Sequence, residues 1–204
     1  WTNDLQFGFK SKTSTSHAIF TLQSTIDYYN QRGSNAYVAF LDCTKAFDRI
    51  SHYGLFSKLM ERRFPLCFLL CFIFWYNNMF GVVKWDSAMS RCFSVPLGIK
   101  QGGINSPNFF SCYFDGLARL LRGKGIGCHM AIIFLGIILF ADDICLIAPT
   151  RTALQKMINN CSQYCHDHVL SYNPTKSKIL VFSCKRVDLN EIHTVFLNGK
   201  SIKY

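Results

Sequence analysis

The stretch that most constrains this chain is Leu139-Phe140-Ala141-Asp142-Asp143-Ile144-Cys145-Leu146-Ile147. Two adjacent carboxylates sit between two apolar runs, Ile132 to Phe140 (interrupted at Gly136) and Ile144 to Ala148. Short apolar runs rich in β-branched and aromatic residues read as buried strands. Charges are costly inside a core, so the two acids are expected in the turn of a hairpin, where both can reach a cleft. Carboxylates this close repel unless a cation lies between them, which makes a divalent metal ion the natural third party. The simpler reading is an ordinary Asp-Asp turn, and the rest of the chain has to decide between the two.

A second strand ends in an acid. Ala36 to Leu41 is a short apolar run followed by Asp42. If the two strands are neighbours, three carboxylates meet at one edge of a sheet. Such a set can hold two divalent ions about 3.5–4 Å apart, activating a 3′-hydroxyl and neutralising a pyrophosphate leaving group. Charge agrees with an anionic partner: 22 Lys plus Arg against 12 Asp plus Glu give +10, and nucleic acid comes first among such partners.

Around these strands the chain reads as α+β. Residues 1–12 read as a basic loop containing Lys10 and Lys12. Ile19, Leu22, Ile26 and Tyr29 recur at helical spacing, predicting a helix over 15–31. Ser51 can cap a second helix, and the apolar stretch Pro65 to Asn77 predicts a buried helix, too short for the roughly 20 residues a membrane span needs. Val82 to Trp85 and Arg91 to Val95 read as a hairpin turning at Asp86-Ser87. Ser106-Pro107 marks a helix start, N-cap then Pro, with Phe110, Tyr113, Phe114 and Leu117 as its apolar face. A helix over 151–167, a strand over 178–183 and a hairpin turning at Asn198-Gly199 complete the order. The expected architecture is an antiparallel sheet backed by helices on one face. The 10 cysteines are scattered, mostly within apolar runs, and read as reduced, buried thiols. Cys161, Cys165, His166 and His168 do not have a zinc-site spacing and fit a helix face better.

These residues resemble the reverse transcriptase domain of non-LTR (LINE-type) retrotransposons from about Gln6 to Tyr204. Phe40-Leu41-Asp42-Cys43-Thr44-Lys45-Ala46-Phe47-Asp48-Arg49-Ile50 with His52 is similar to that family's first catalytic motif. Gly98-Ile99-Lys100-Gln101-Gly102-Gly103-Ile104, with Ser106-Pro107 and Phe110, is similar to its template- and nucleotide-positioning motif. Phe140-Ala141-Asp142-Asp143 is similar to its second catalytic motif. Asn173-Pro174-Thr175-Lys176-Ser177 resembles the motif that follows, and Val195-Phe196-Leu197-Asn198-Gly199 the hairpin near the primer.

The resemblance implies a polymerase palm with partial fingers. Residues 1–35 would be a fingers remnant and residues 36–204 palm with intervening fingers or helical segments. Asp42, Asp142 and Asp143 would be catalytic and, with the backbone carbonyl of Cys43, would hold two Mg²⁺ (or Mn²⁺) ions. Phe47 would lie under the incoming sugar as a gate against a 2′-hydroxyl. Gln101 and Gly102 would approach nucleotide and template, and Lys176 the triphosphate. Asp48 would brace its turn. The implied partners are an RNA template, a DNA primer and dNTPs, with no membrane, and the implied location is cytoplasm and nucleus. The family's thumb and endonuclease, and a basic fingers segment that precedes these motifs, are expected to be absent from residues 1–204 and to belong to the rest of a longer polyprotein. Asn105 departs from a usually apolar position.

Other readings compete with an RNA-directed DNA polymerase. Phe47 and the Gln101-Gly102 loop argue against an RNA-dependent RNA polymerase, which presents polar residues to the ribose. A truncated remnant that at most binds nucleic acid is the alternative from another class. A metal-dependent phosphohydrolase would need more His or Asp near the site.

Overall fold

A computed structural model describes residues 3–184 and 194–202. The elements follow in chain order: α1 (Thr15–Asn30), β1 (Ala36–Asp42), α2 (His52–Glu61), α3 (Leu66–Asn77), β2 (Phe80–Gly81), β3 (Lys84–Trp85), β4 (Ala88–Met89) and β5 (Phe93–Ser94). Then come α4 (Ser106–Lys124), β6 (His129–Met130), β7 (Ile133–Phe134), β8 (Ile137–Phe140), β9 (Asp143–Ala148), α5 (Arg151–Asp167), β10 (Lys178–Phe182), β11 (Val195–Leu197) and β12 (Lys200–Ile202).

The centre is an antiparallel sheet in the order β10-β1-β9-β8. β1 pairs on both sides, Val38 facing Leu180 of β10 and Ile147 of β9. Side chains alternate across the sheet, and the alternation sorts the core into two. Ala39, Leu41, Ile137, Leu139, Ile144, Leu146 and Ile179 pack with α4 and α5. Val38, Ile138, Cys145 and Ile147 pack against Ala18 and Ile26 of α1. Helices therefore lie on both faces, not one. The reason is in β8 and β9, where Ile138, Cys145 and Ile147 leave an apolar second face that must be covered.

The helix ends follow local chemistry. Ser51 accepts the Gly54 N–H at 3.3 Å and Thr150 the Ala153 N–H at 3.1 Å, each relieving an orphan donor of a first turn. Ser106 does not serve as the N-cap of α4. Asn105 holds that position, while the Ser106 hydroxyl donates to the Lys100 carbonyl at 2.5 Å. Tertiary contact with the preceding loop has displaced local capping there. The Asn198-Gly199 hairpin turn has both residues at positive φ, 51° and 76°, as a type I′ turn requires.

Further expectations change in the fold. The apolar run upstream of the acids is not one strand: β6 and β7 form a small ladder of their own before β8 begins. At Gly136 a Cβ would lie 2.6 Å from the Phe134 ring, so the ring folds over the glycine and breaks the run. Helix α3 is not buried. Only Leu69 and Tyr76 are, while Phe74 is 70 % exposed and Leu66 66 %. A helix apolar on every side cannot bury every side at the margin of a domain. The cysteines are free, but only six of them are buried: Cys67, Cys71, Cys92 and Cys184 are exposed. Residues 3–12 are not merely a basic loop. Leu5, Gln6 and Gly8 are buried, and Asp115 of α4 accepts the Asn3 N–H at 2.6 Å while ion-pairing with Arg62 and Arg119.

Among the described residues no helix is long and apolar enough to cross a membrane. Helix α4 is buried along most of its length, from Phe109 to Asp115 and at Leu117, Ala118 and Leu121. Phe110 is fully buried, stacked on Phe47 at 4.4 Å and on Phe114 at 4.7 Å between ring centroids. Phe110→Ala is expected to cost about 3–5 kcal/mol of stability, read from the shift in a chemical denaturation midpoint.

Candidate active site

Three acids lie at one edge of the sheet, where β1 and β8 end and β9 begins. Asp42 is the last residue of β1 and lies directly opposite Asp143, the first residue of β9, across the antiparallel ladder. Asp143 also faces Phe140, so Ala141 and Asp142 form the turn between β8 and β9. The expected hairpin is present, with one refinement: Asp142 is in the turn and Asp143 already in the strand. Burial raises the Asp143 carboxyl above its usual range, and the charges of Asp142 and Asp42 push it further. Among the described residues no Lys or Arg ion-pairs with any of the three.

The acids line two different cavities, Asp142 in the turn on one and Asp42 and Asp143 in the strands on the other. One, of about 580 Å³, is lined by Asp142, Phe47, Phe9, Gln101, Gly102 and neighbouring residues to Pro107. The other, of about 370 Å³, is lined by Asp42, Asp143, Lys176, Phe40, Ile19 and residues around them. Consistent with this split, no three His, Cys, Asp or Glu side chains among the described residues are gathered as a metal-ligand set. The donors nonetheless fit a hard divalent cation by chemistry: they are carboxylate oxygens, without a Lys or Arg ion pair among the described residues, and the charged form of Asp143 is disfavoured by burial and by the other two.

The end of β1 is strapped by the segment 171–177. Ser177, fully buried, accepts the Asp42 N–H at 3.2 Å and donates to the Asn173 carbonyl at 2.8 Å. Asn173 N donates to the Asp42 carbonyl at 2.9 Å, and Thr44 N to Ser171 O at 2.8 Å. The Asn173 side chain accepts from both Thr175 N and Oγ1, at 3.0 and 2.7 Å. This tight local turn leaves Lys176 exposed on the cavity beside Asp42 and Asp143. Cys43 is buried with its thiol 3.6 Å from the Ser171 carbonyl. Its hydrogen bond to Cys165, then burial, then the charges of Cys165, Asp142 and Asp42, push that thiol well above its usual range.

On the other side, the helical turn Phe47–Arg49 docks onto the glycine-bearing loop. Gly98 N donates to Ile50 O at 2.8 Å and Ile99 N to Phe47 O at 2.9 Å. Phe47 is half-buried, stacked on Phe110 and edge-on to Phe9 at 6.3 Å. Gln101 is exposed and donates to Asp48 at 3.2 Å, so Asp48 braces this corner. Sequence reasoning alone does not single out Phe9. The signal was available in the Gly8-Phe9 pair following Gln6, but nothing local says that this segment reaches the acids.

The fold and this edge of carboxylates define a polymerase palm-like domain. The chain matches the family described as reverse transcriptase (RNA-dependent DNA polymerase) over residues 2–204, and it belongs to that family. Relatives include the Pol polyprotein of the type-1 retrotransposable element R2 of Nasonia vitripennis, 30 % identical over 145 residues, covering 71 % of this chain and 14 % of that protein. The polymerase of the mobile element jockey of Drosophila funebris is 25 % identical over 197 residues, covering 91 % of this chain and 21 % of that protein. The chain thus spans about a seventh to a fifth of these relatives. Among solved structures, apo telomerase from Candida tropicalis superposes with a TM-score of 0.66 at 13 % identity, over 86 % of this chain and 36 % of that one. Telomerase from Candida albicans gives 0.66 at 14 % identity, over 90 % and 33 %. At that identity the likeness shows a shared fold.

Ser177→Ala would leave the part-buried Asp42 N–H without its hydroxyl acceptor. It is expected to cost about 1–3 kcal/mol, measured as a lowered unfolding midpoint.

Proposed function

We propose that this chain is the palm-centred part of an RNA-directed DNA polymerase of a non-LTR retroelement, adding dNTPs to the 3′-hydroxyl of a DNA primer on an RNA template. The observation that carries the proposal is the register of Asp42 opposite Asp143, with Asp142 in the adjoining turn. Residues 36–204 would supply palm and intervening segments, and residues 1–35 a fingers remnant.

Asp42, Asp142 and Asp143, with the Cys43 carbonyl, would hold two Mg²⁺ or Mn²⁺ ions. Bound there, the ions would supply charge neutralisation for the pyrophosphate and a lowered pKa for the primer hydroxyl. The protein's own part is positioning. The cavity between Phe9, Phe47, Gln101, Gly102 and Asp142 would receive the nucleotide. Phe47, fixed by its stack on Phe110, would close the space a 2′-hydroxyl needs. Gly102, at φ 77° and with nothing within 4 Å of a built Cβ, would let backbone approach nucleotide or template. Lys176 would reach the triphosphate from the neighbouring cavity and could donate a proton to the leaving group. The net charge of +10 would draw in the template and primer backbones.

The test is primer extension on an RNA template with dNTPs and Mg²⁺, using the full-length protein. Asp142→Asn is expected to abolish extension while leaving template binding and thermal unfolding near wild type. Folded wild-type protein that binds RNA in a salt-dependent way but adds no nucleotide would favour the binding remnant instead. Phe47→Val is expected to raise ribonucleotide use relative to dNTPs by about ten-fold or more, since one lost ring contact is worth about 1–3 kcal/mol of discrimination.

A further inference from the structure

The turn that carries Asp142 is held from outside its own hairpin. Ala141, the first residue of the turn, has φ 57°, a left-handed conformation that disfavours any residue with a Cβ. Its N–H is donated to the side-chain oxygen of Gln6 at 3.2 Å. The same oxygen accepts the Gly8 N–H at 2.8 Å. Gln6 is 1 % exposed. It is brought there by backbone pairing: Leu139 N donates to Leu5 O and Phe7 N to Leu139 O, both at 2.8 Å, so Gln6 bridges β8 in parallel.

Gly8 completes the contact. A Cβ built on it would lie 2.3 Å from the Ala141 nitrogen and 2.9 Å from the Phe140 carbonyl carbon. Both are backbone atoms, so any larger residue would displace the turn. The Gln6 amide nitrogen, in contrast, is buried with no hydrogen-bond partner among the described residues. A buried donor without a partner destabilises a fold. An apolar side chain of equal length would avoid that penalty, so what distinguishes glutamine here is its oxygen on the Ala141 N–H.

We propose that Gln6 and Gly8 are positioning residues for the Asp142-Asp143 turn. The Gln6 oxygen pins the strained Ala141 N–H, and the Gly8 backbone closes the space into which the turn would relax. Together they fix how Asp142 and Asp143 divide between the two cavities. The inference rests on the reading of Asp142 and Asp143 as metal-binding acids. Neither Gln6 nor Gly8 lines either cavity, and both act through Ala141.

Gln6→Met keeps length and removes the acceptor, and Gly8→Ala pushes on the turn directly. Both are made in the full-length protein and compared with Asp142→Asn. The measurements are Mn²⁺ binding, by electron paramagnetic resonance of the free ion, and primer extension across a Mg²⁺ titration. Each variant is expected to bind Mn²⁺ several-fold more weakly and to shift the Mg²⁺ midpoint upward. At saturating Mg²⁺ each is expected to lose about ten-fold or more in kcat, with the dNTP KM changed less than about two-fold. A folded Gln6→Met with wild-type kcat and wild-type Mn²⁺ affinity overturns the proposal. If Gln6→Met does not fold, Gly8→Ala is judged by the same criterion. Undiminished extension by Asp142→Asn would strike instead at the catalytic reading itself.

Discussion

The pairing of β1 with β9 is the contact on which the remaining structure depends. It runs from Tyr37 opposite Ala148 to Asp42 opposite Asp143. One end of that ladder is apolar and lies under α5. The other ends in two carboxylates side by side, which would separate if the strands were free. The apolar residues of the same two strands, buried on both faces, hold the acids at a spacing their charges oppose. That mismatch is the electrostatic character of the site: Asp143 is shifted toward its protonated form by burial and by its two neighbours, and a divalent cation would relieve both effects.

The site is supported from three directions that are remote in sequence. The strap 171–177 ties down the carbonyl and amide of Asp42. The Phe47 turn and the Gly98 loop hold each other through paired backbone bonds. The segment Leu5 to Phe7 extends the sheet beyond β8 and places Gln6 on the Asp142 turn. Each support acts on backbone groups, and at the Phe47 corner side-chain bonds from Gln101 to Asp48 and from Arg49 to Ser171 add to it.

Much of this was legible in the chain. Short acid-tipped apolar runs, rich in β-branched and aromatic residues, indicated β1 and β9 and the three carboxylates. Helical spacing placed α1, α4 and α5 closely, and Asn198-Gly199 indicated its own turn. What was misread shares a cause. The apolar run of α3 has no polar face to show which side meets the domain, and most of it is exposed. Ile132 to Phe140 looks continuous, yet the Phe134 ring folding over Gly136 breaks it. Ser106 has the chemistry of a cap and spends it on Lys100. Gln6 lies in a stretch whose lysines mark it as solvated, while its neighbours are docked on β8.

By itself, then, the sequence determined which residues carry charge at strand ends, which segments can form helix or strand, and the family signature of the ordered motifs. Those properties are local, set by residue type and by periods of two and 3.6. Tertiary structure alone decided that Asp42 faces Asp143, that Asp142 opens to a different cavity, that α1 covers the sheet's second face, and that Gln6 reaches Ala141 across 135 residues of chain. Strand order and register are set by which apolar faces bury together, a choice no single segment makes alone.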